Sequence, residues 1–189
     1  MRARARAARA AFVSALAAPV RRALESALAA QALPHLGPQG VLGSFAAVGD
    51  ETDPGPLESA ALATGWATAF PRVAGDGPLA FHHAPRSALA PGYRGIPEPA
   101  GDTPLARPDE LLVPLVGADL RGNRLGQGGG HYDRTLAALR ADGPLLAIGL
   151  AWDMQILDQV PVRHWDQPLD AIATPTAFHL VAHGARGLA

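Results

Sequence analysis

Residues 111–134 read LLVPLVGADLRGNRLGQGGGHYDR, and the architecture turns on them. The apolar run 111–116 has the composition of a buried strand. It gives way to a loop containing Gly126, Gly128, Gly129 and Gly130. Asp133, Arg134 and the apolar-periodic stretch 135–140 then open a helix. Strand, glycine loop and helix start together present backbone N–H groups to a phosphate. Glycine suits such a loop because a side chain would hold the anion away from those amides, and because the turn often needs positive φ. The spacing is not that of a Walker A loop, since no Gly-Lys-Ser/Thr follows. It is not G-x-G-x-x-G either, since the third glycine would fall on His131 or Asp133.

Outward from this stretch, residues 2–32 are rich in alanine and arginine, with Phe12, Val13, Leu16, Val20, Leu24 and Leu28 near helical spacing; Pro19 divides them into two helices. Residues 41–48 read as a short buried strand. A helix follows over 57–65, with Pro54 at its start and Asp53 as N-cap. Residues 66–73 and 79–82 are extended. The stretch 84–108 is dense in proline and glycine and long for a loop in a compact domain, which points to a functional role or mobility. Beyond the glycine loop come a helix over 132–141 and strands over 145–151 and 170–173. Apolar strands alternating with helices predict an α/β fold: a single Rossmann-like three-layer domain over residues 1–189, with a mostly parallel sheet covered by helices on both faces.

Composition removes several classes of function. A chain of 189 residues with 48% hydrophobic and 17% charged residues is globular. No apolar run approaches the roughly 20 residues that span a bilayer, so no membrane role is expected, and the cytoplasm is the default location. The arginine-rich first 24 residues resemble a transit peptide in charge, but their pattern runs on as an ordinary amphipathic helix. A net charge of −1 does not favour nucleic acid as a partner. With no cysteine there are no disulfides, thiolate nucleophiles or Cys-ligated metals. All sixteen basic residues are arginine, so Schiff-base chemistry and lysine phosphate clamps are excluded. Anions must be met by arginine, main-chain amides or a metal ion. The histidines lack HExxH spacing, and no serine sits in G-x-S-x-G.

Six stretches occur in an order that resembles the 5-formyltetrahydrofolate cyclo-ligase (methenyltetrahydrofolate synthetase) family: RARAR at 2–6, GDET at 49–52, FPRV at 70–73, GIPEP at 95–99, VPLVGADLRGNRLGQGGGHYDR at 113–134, and QILDQVPVRHWDQPLDAIAT at 155–174. The resemblance implies a Rossmann-like fold and a reaction that uses ATP and Mg²⁺ to convert 5-formyltetrahydrofolate to 5,10-methenyltetrahydrofolate. A reduced folate and ATP are then the small-molecule partners, in a monomer or homodimer. The other reading is a folate- or nucleotide-binding paralogue without catalysis.

The resemblance assigns residues. ATP would meet Arg2, Arg6, Arg124, Leu125, Gly126, Gln127, Gly128, Gly129, Gly130, His131, Tyr132 and Arg134. The folate would meet Ala46, Glu51 and the loop residues Gln127, Gly128, Gly129, Gly130 and His131. Mg²⁺ would be held by Asp133 and Asp170. Tyr93, Trp152 and Trp165 are candidates to pack on the substrate rings. On the residues alone, Asp133 also suits a helix N-terminus and Glu51 a helix entry. A common form of the family loop carries lysine where Gly129 stands, arginine at Gln127 and tyrosine at His131, so this chain lacks two cations there. Arg134 or the N-terminal arginines are expected to compensate.

Overall fold

In the computed structural model, which describes residues 1–182, Pro19 does divide the N-terminal region. Helix α1 (Arg2–Ser14) ends before it, and α2 (Ala18–Ala32) takes it into its first turn, where its missing N–H is not needed. Strand β1 (Val41–Gly43) is followed by α3 (Gly55–Ala63), β2 (Ala67–Arg72) and β3 (Ala80–His83). Two short ribbons come next in chain order: β4 (Ala90–Pro91) with β5 (Pro97–Glu98), and, after β6 (Glu110–Pro114), β7 (Gly117–Ala118) with β8 (Arg124–Leu125). The chain then forms α4 (His131–Asp142), β9 (Leu146–Leu150), β10 (Ala171–Ala173) and β11 (Phe178–Leu180).

The main sheet has seven strands in the order β11-β10-β9-β6-β1-β2-β3. The five inner strands are mutually parallel, while β3 and β11 run antiparallel at the edges. Alternation along β6 and β9 separates the two faces. Leu112, Ile148 and Leu150 join Leu42 under α2 and α3, through Leu28, Ala32, Leu57 and Ala61. Leu111, Val113 and Ala147 point the other way, under Leu136 of α4. The three-layer α/β expectation is therefore met. Each fully buried Leu, Ile or Phe side chain contributes roughly 1.5–3 kcal/mol to the folded state.

Several boundaries differ from the sequence reading. The first strand stops at Gly43 rather than running to 48, because buried Ser44 bonds Glu58 and the Phe45 carbonyl accepts from Arg86, which turns the chain off the sheet. Helix α3 starts two residues earlier than expected. Pro54 is its N-cap, and Asp53 Oδ1 accepts from the Gly55 amide at 3.0 Å from one position further out. The glycine loop does not follow β6 directly, since the β7–β8 hairpin intervenes. Edge strand β11 was not foreseen. The other edge, β3, is covered on its outer side by residues 104–106, whose Pro104 carbonyl accepts from His83 and whose Ala106 amide donates to Phe81.

Two buried carboxylates organise the connections. Glu58 on α3 is bidentate with Arg86, through Nε and Nη2 at 2.7 Å each, and this ties the 84–108 segment to the end of β1. Burial alone would lower the Arg86 pKa, but the hydrogen bonds and charge of Glu58, with help from Asp53, raise it above its ordinary value. Replacing Arg86 with alanine strands a carboxylate that is 3% exposed. Chemical denaturation should show a loss on the order of 3 kcal/mol, as a lower midpoint at unchanged slope.

Asp119, at the base of the β7–β8 hairpin, accepts from the amides of Arg121, Asn123 and Val160 and from the Asn123 side chain. Burial would raise its pKa, but these bonds hold it below the usual carboxylate range. A depressed folded-state pKa means a stabilisation that is present above the unfolded-state value, about 3.9, and is lost as pH falls through the folded-state value. Thermal melts of wild type and Asp119→Asn should therefore differ most at neutral pH and converge at acid pH, below the ordinary carboxylate range.

Candidate active site

From β1 the chain proceeds through α3 to β2 on one side; it later returns to lay β6 against the other side of β1 and goes through α4 to β9. Right-handed crossovers running in opposite directions place α3 and α4 on opposite faces. Between β1 and β6 the loops at the carboxyl ends therefore diverge and leave a crevice, the usual ligand position in open α/β sheets. The loop after β1 carries Ala46 and Glu51, and the segment after β6 carries the glycine loop. Gly43 allows this close pairing, because a Cβ there would lie 2.8 Å from both Pro108 and Leu111.

Three arginines along α1 at helical spacing reach the segment after β6. Arg2 Nε donates to the Gly126 carbonyl at 2.7 Å, Arg6 Nη2 to the Gln127 carbonyl at 2.9 Å, and buried Arg9 Nη1 to the Leu115 carbonyl at 3.1 Å. With the Gly126 and Gln127 carbonyls turned to α1, the amides of the same peptide units, those of Gln127 and Gly128, point the other way. Among the described residues, the amides of Gly128, Gly129 and Gly130 donate to no protein acceptor. Gly128 (φ +104°) and Gly130 (φ +69°) adopt a left-handed backbone that favours glycine, and Gly130 is the N-cap of α4. Guanidinium groups flank the loop. Arg2 Nη1 lies 3.6 Å from where a Gly128 Cβ would be, and Arg134 Nη1 lies 2.7 Å from the corresponding point on Gly130. Arg134 Nη2 also donates to the Gly129 carbonyl. His131 occupies the space in which a residue-129 side chain would begin, with its Cδ2 3.0 Å from that point.

The turn after β1 faces this loop. Glu51 is buried, its Oε2 accepts from the Val48 amide at 3.1 Å, and its Oε1 accepts from Gln127 Nε2 at 3.3 Å. Tyr132, beside Glu51 and Arg124, has its hydroxyl pKa pushed far up, first by burial and then by the Glu51 charge. Ala46 lies buried in the same post-β1 segment. The structure thus brings Arg2, Arg6, the loop 126–131, Arg134, Tyr132 and Glu51 together, whereas Ala46 shares only the post-β1 segment with Glu51.

Other candidates are engaged elsewhere. The Leu125 side chain packs with Val116 and Val160, and its carbonyl accepts from Val116. Arg124 is turned inward, donating to Asp133 Oδ1 at 2.8 Å and to the Gln167 carbonyl at 2.7 Å. Asp133 Oδ1 also accepts from the Gln167 amide. Asp170 pairs with Arg140 in the last turn of α4, and its Oδ2 accepts from the Ala147 amide at the start of β9. Trp152 is fully buried, packs against Phe12 and donates from Nε1 to the Asp50 carbonyl, so it supports the Glu51 turn instead of lining a ligand site. Trp165 is half exposed, against His164 and Arg163. Tyr93 is exposed beside Arg94.

Sequence reasoning did not foresee Gln155, whose amide holds the Leu115 and Val116 carbonyls at the root of the site, nor the inward role of Arg9. The spacing of Arg2, Arg6 and Arg9 was a visible signal for the latter, whereas a lone buried glutamine leaves none. Along the other side of α1 runs a groove of about 440 Å³, lined by Met1, Ala5, Ala8, Met154 and Leu157. No group of three or more His, Cys, Asp or Glu side chains converges among the described residues. The arrangement can neutralise a polyanion with amides and guanidinium groups and, across the crevice, accept hydrogen bonds at a carboxylate.

Comparison with known proteins places these features. The 5-formyltetrahydrofolate cyclo-ligase from Escherichia coli (strain K12) is 41% identical over 102 residues, 52% of this chain and 56% of that protein; the chain thus spans about half the length of the curated relatives it matches. The NMR structure of Aquifex aeolicus 5,10-methenyltetrahydrofolate synthetase matches all of this chain and 96% of its own, with a TM-score of 0.77 at 26% identity. A 5,10-methenyltetrahydrofolate synthetase from Mycoplasma pneumoniae shares the fold, with a TM-score of 0.68 at 21% identity over 92% of this chain and 98% of that one. The family model for 5-formyltetrahydrofolate cyclo-ligases matches residues 1–175, from the arginines of α1 through the glycine loop to the end of β10, and the chain belongs to that family.

Proposed function

We propose that this chain, acting as one unit, converts 5-formyltetrahydrofolate to 5,10-methenyltetrahydrofolate with ATP and Mg²⁺, releasing ADP and phosphate. One observation carries the reading: among the described residues, the amides of Gly128, Gly129 and Gly130 are without protein acceptors, flanked by Arg2 and Arg134, in a loop whose Gln127 side chain meets Glu51.

A formamide carbonyl is a poor electrophile and its oxygen a poor leaving group. In the proposed course the formyl oxygen attacks the γ-phosphorus of ATP and ADP leaves. N10 then attacks the formyl carbon, the ring closes, and the C–O bond breaks so that the oxygen departs with the phosphate, which also takes up the N10 proton. Ring closure is intramolecular, so positioning supplies much of the acceleration. Phosphoryl transfer needs charge neutralisation and in-line geometry more than a protein nucleophile. A chain without Cys or Lys can meet those needs. The three amides, Arg2, Arg6 and Arg134 hold the phosphates. Glu51 accepts hydrogen bonds from the amino-pyrimidinone edge of the pterin, with Ala46 as an apolar wall.

Asp133 fits the requirement for Mg²⁺, which takes one or two carboxylates besides waters and phosphate oxygens, because Arg124 and the Gln167 amide both use Oδ1 and neither uses Oδ2. Asp170 does not suit a second ligand for the same ion: it lies just before β10, with the Ala147 amide and with Arg140 in the last turn of α4, at the end of the sheet away from the glycine loop. The ion would supply further neutralisation of phosphate charge.

The second reading, binding without catalysis, draws on Gln127 and Gly129. Purified protein mixed with 5-formyltetrahydrofolate, ATP and Mg²⁺ should show the near-UV absorbance of the methenyl product, and the rise should vanish on chelation of the metal. Ligand uptake with no ATP-dependent rise would leave the binding reading in its place. Arg134→Ala should raise the KM for ATP by about tenfold, the size of one lost charge-assisted hydrogen bond, while the KM for the folate stays unchanged. An unaltered ATP KM would remove Arg134 from the phosphate site.

A further inference from the structure

We propose that Arg21 and Glu25 are positioning residues for Glu51: an ion pair on α2 grips the main chain of residues 49–53 from outside and thereby presents the Glu51 carboxylate to the pterin. The inference rests on the functional reading above.

Arg21 Nε donates to Glu25 Oε1 at 2.9 Å. Its Nη2 donates to the Glu51 carbonyl at 2.8 Å, and Nη1 and Nη2 both lie 3.4 Å from the Gly49 carbonyl. Glu25 Oε1 accepts in turn from the Asp53 amide at 3.2 Å. One side-chain pair thus holds three main-chain groups across five residues, while Trp152 Nε1 takes the Asp50 carbonyl at 3.0 Å. With its backbone engaged in this way, the turn directs the Glu51 side chain inward, where Oε1 meets Gln127.

Local helix energetics do not account for the pair. Arg21 sits near the start of α2 (Ala18–Ala32), the end at which the helix dipole disfavours a cation. Arginine followed four residues later by glutamate is also the less favourable order for a helical ion pair. Glu25 is 5% exposed, a burial that an acid tolerates only when it is paired. The turn is the tertiary partner that explains both residues. Gly49, at φ +61°, lets the chain bend so that its carbonyl meets the guanidinium.

The test compares wild type with Arg21→Ala, Arg21→Lys, Glu25→Gln and, as a control, Arg22→Ala, an exposed neighbour on the same helix. Calorimetry with 5-formyltetrahydrofolate and, separately, with a non-hydrolysable ATP analogue reads the two sites, and hydrogen exchange reads the amides of 48–53. Arg21→Ala should weaken folate binding by about tenfold, the scale of one charge-assisted contact. Nucleotide affinity should stay constant, and exchange at 48–53 should quicken. Arg21→Lys should recover part of the loss, since it restores the charge but not the fork. In a Glu51→Ala background, Arg21→Ala should cost no further folate affinity, a coupling that a general effect on stability would not produce. Folate affinity unchanged in both Arg21→Ala and Glu25→Gln would overturn the positioning role alone. Losses for both ligands in proportion to a fallen Tm would do the same. If wild-type protein takes up no 5-formyltetrahydrofolate, the functional reading itself is overturned.

Discussion

Parallel pairing of β1 with β6 is the constraint from which the site follows. The two strands lie side by side, but the chain leaves them in opposite directions, so the segments after Gly43 and Pro114 separate and open a crevice at their carboxyl ends. Glu51 and the glycine loop are hung on those two segments. Gly43 lets the strands approach, Glu58 and Arg86 turn the first segment away from the sheet, and Asp119 with Gln155 braces the second. In the glycine loop, α1 draws the Gly126 and Gln127 carbonyls to one side, and Arg134 of α4 takes that of Gly129. Arg2 and Arg6, bonded to main-chain oxygens of the loop, thus orient peptide dipoles as well as carrying charge.

The layered fold was legible because its signals are local and periodic. Apolar runs at 111–116 and 145–151 could only be buried on both faces, and Pro19 marked a helix start whose physics is purely backbone. Boundaries were less legible where tertiary bonds end an element. Nothing in the residues after Gly43 forbids strand; Glu58 and Arg86, distant in sequence, bend the chain there. The β7–β8 hairpin was hidden for a similar reason, since Asp119 folds it by collecting amides from positions as far away as Val160.

Within the site, the glycines and flanking arginines could be read because their chemistry is tied to spacing. Glu51 required the resemblance, as a single acid in a turn carries no signature. Trp152 was named as a candidate for stacking on the substrate and is a core residue: aromatic side chains fill cores far more often than they face ligands, and burial cannot be read from one tryptophan. Asp133 and Asp170 were singled out as acids, but their pairing with Arg124, itself assigned to ATP, and with Arg140 was not. Ion pairs between segments dozens of residues apart leave no periodic trace.

The covered outer side of β3, and the mere three residues of β11 at the opposite border, carry a consequence for behaviour in bulk. A hydrogen-bonded sheet propagates into fibrils when a neighbouring molecule finds a long row of unsatisfied peptide groups to extend. One border of this sheet is already occupied by the molecule's own residues 104–106, and the other is too brief to template an incoming segment. The native molecule therefore resists lateral growth even when crowded, which leaves its exposed aliphatic side chains, not its backbone, as the place where self-association would begin.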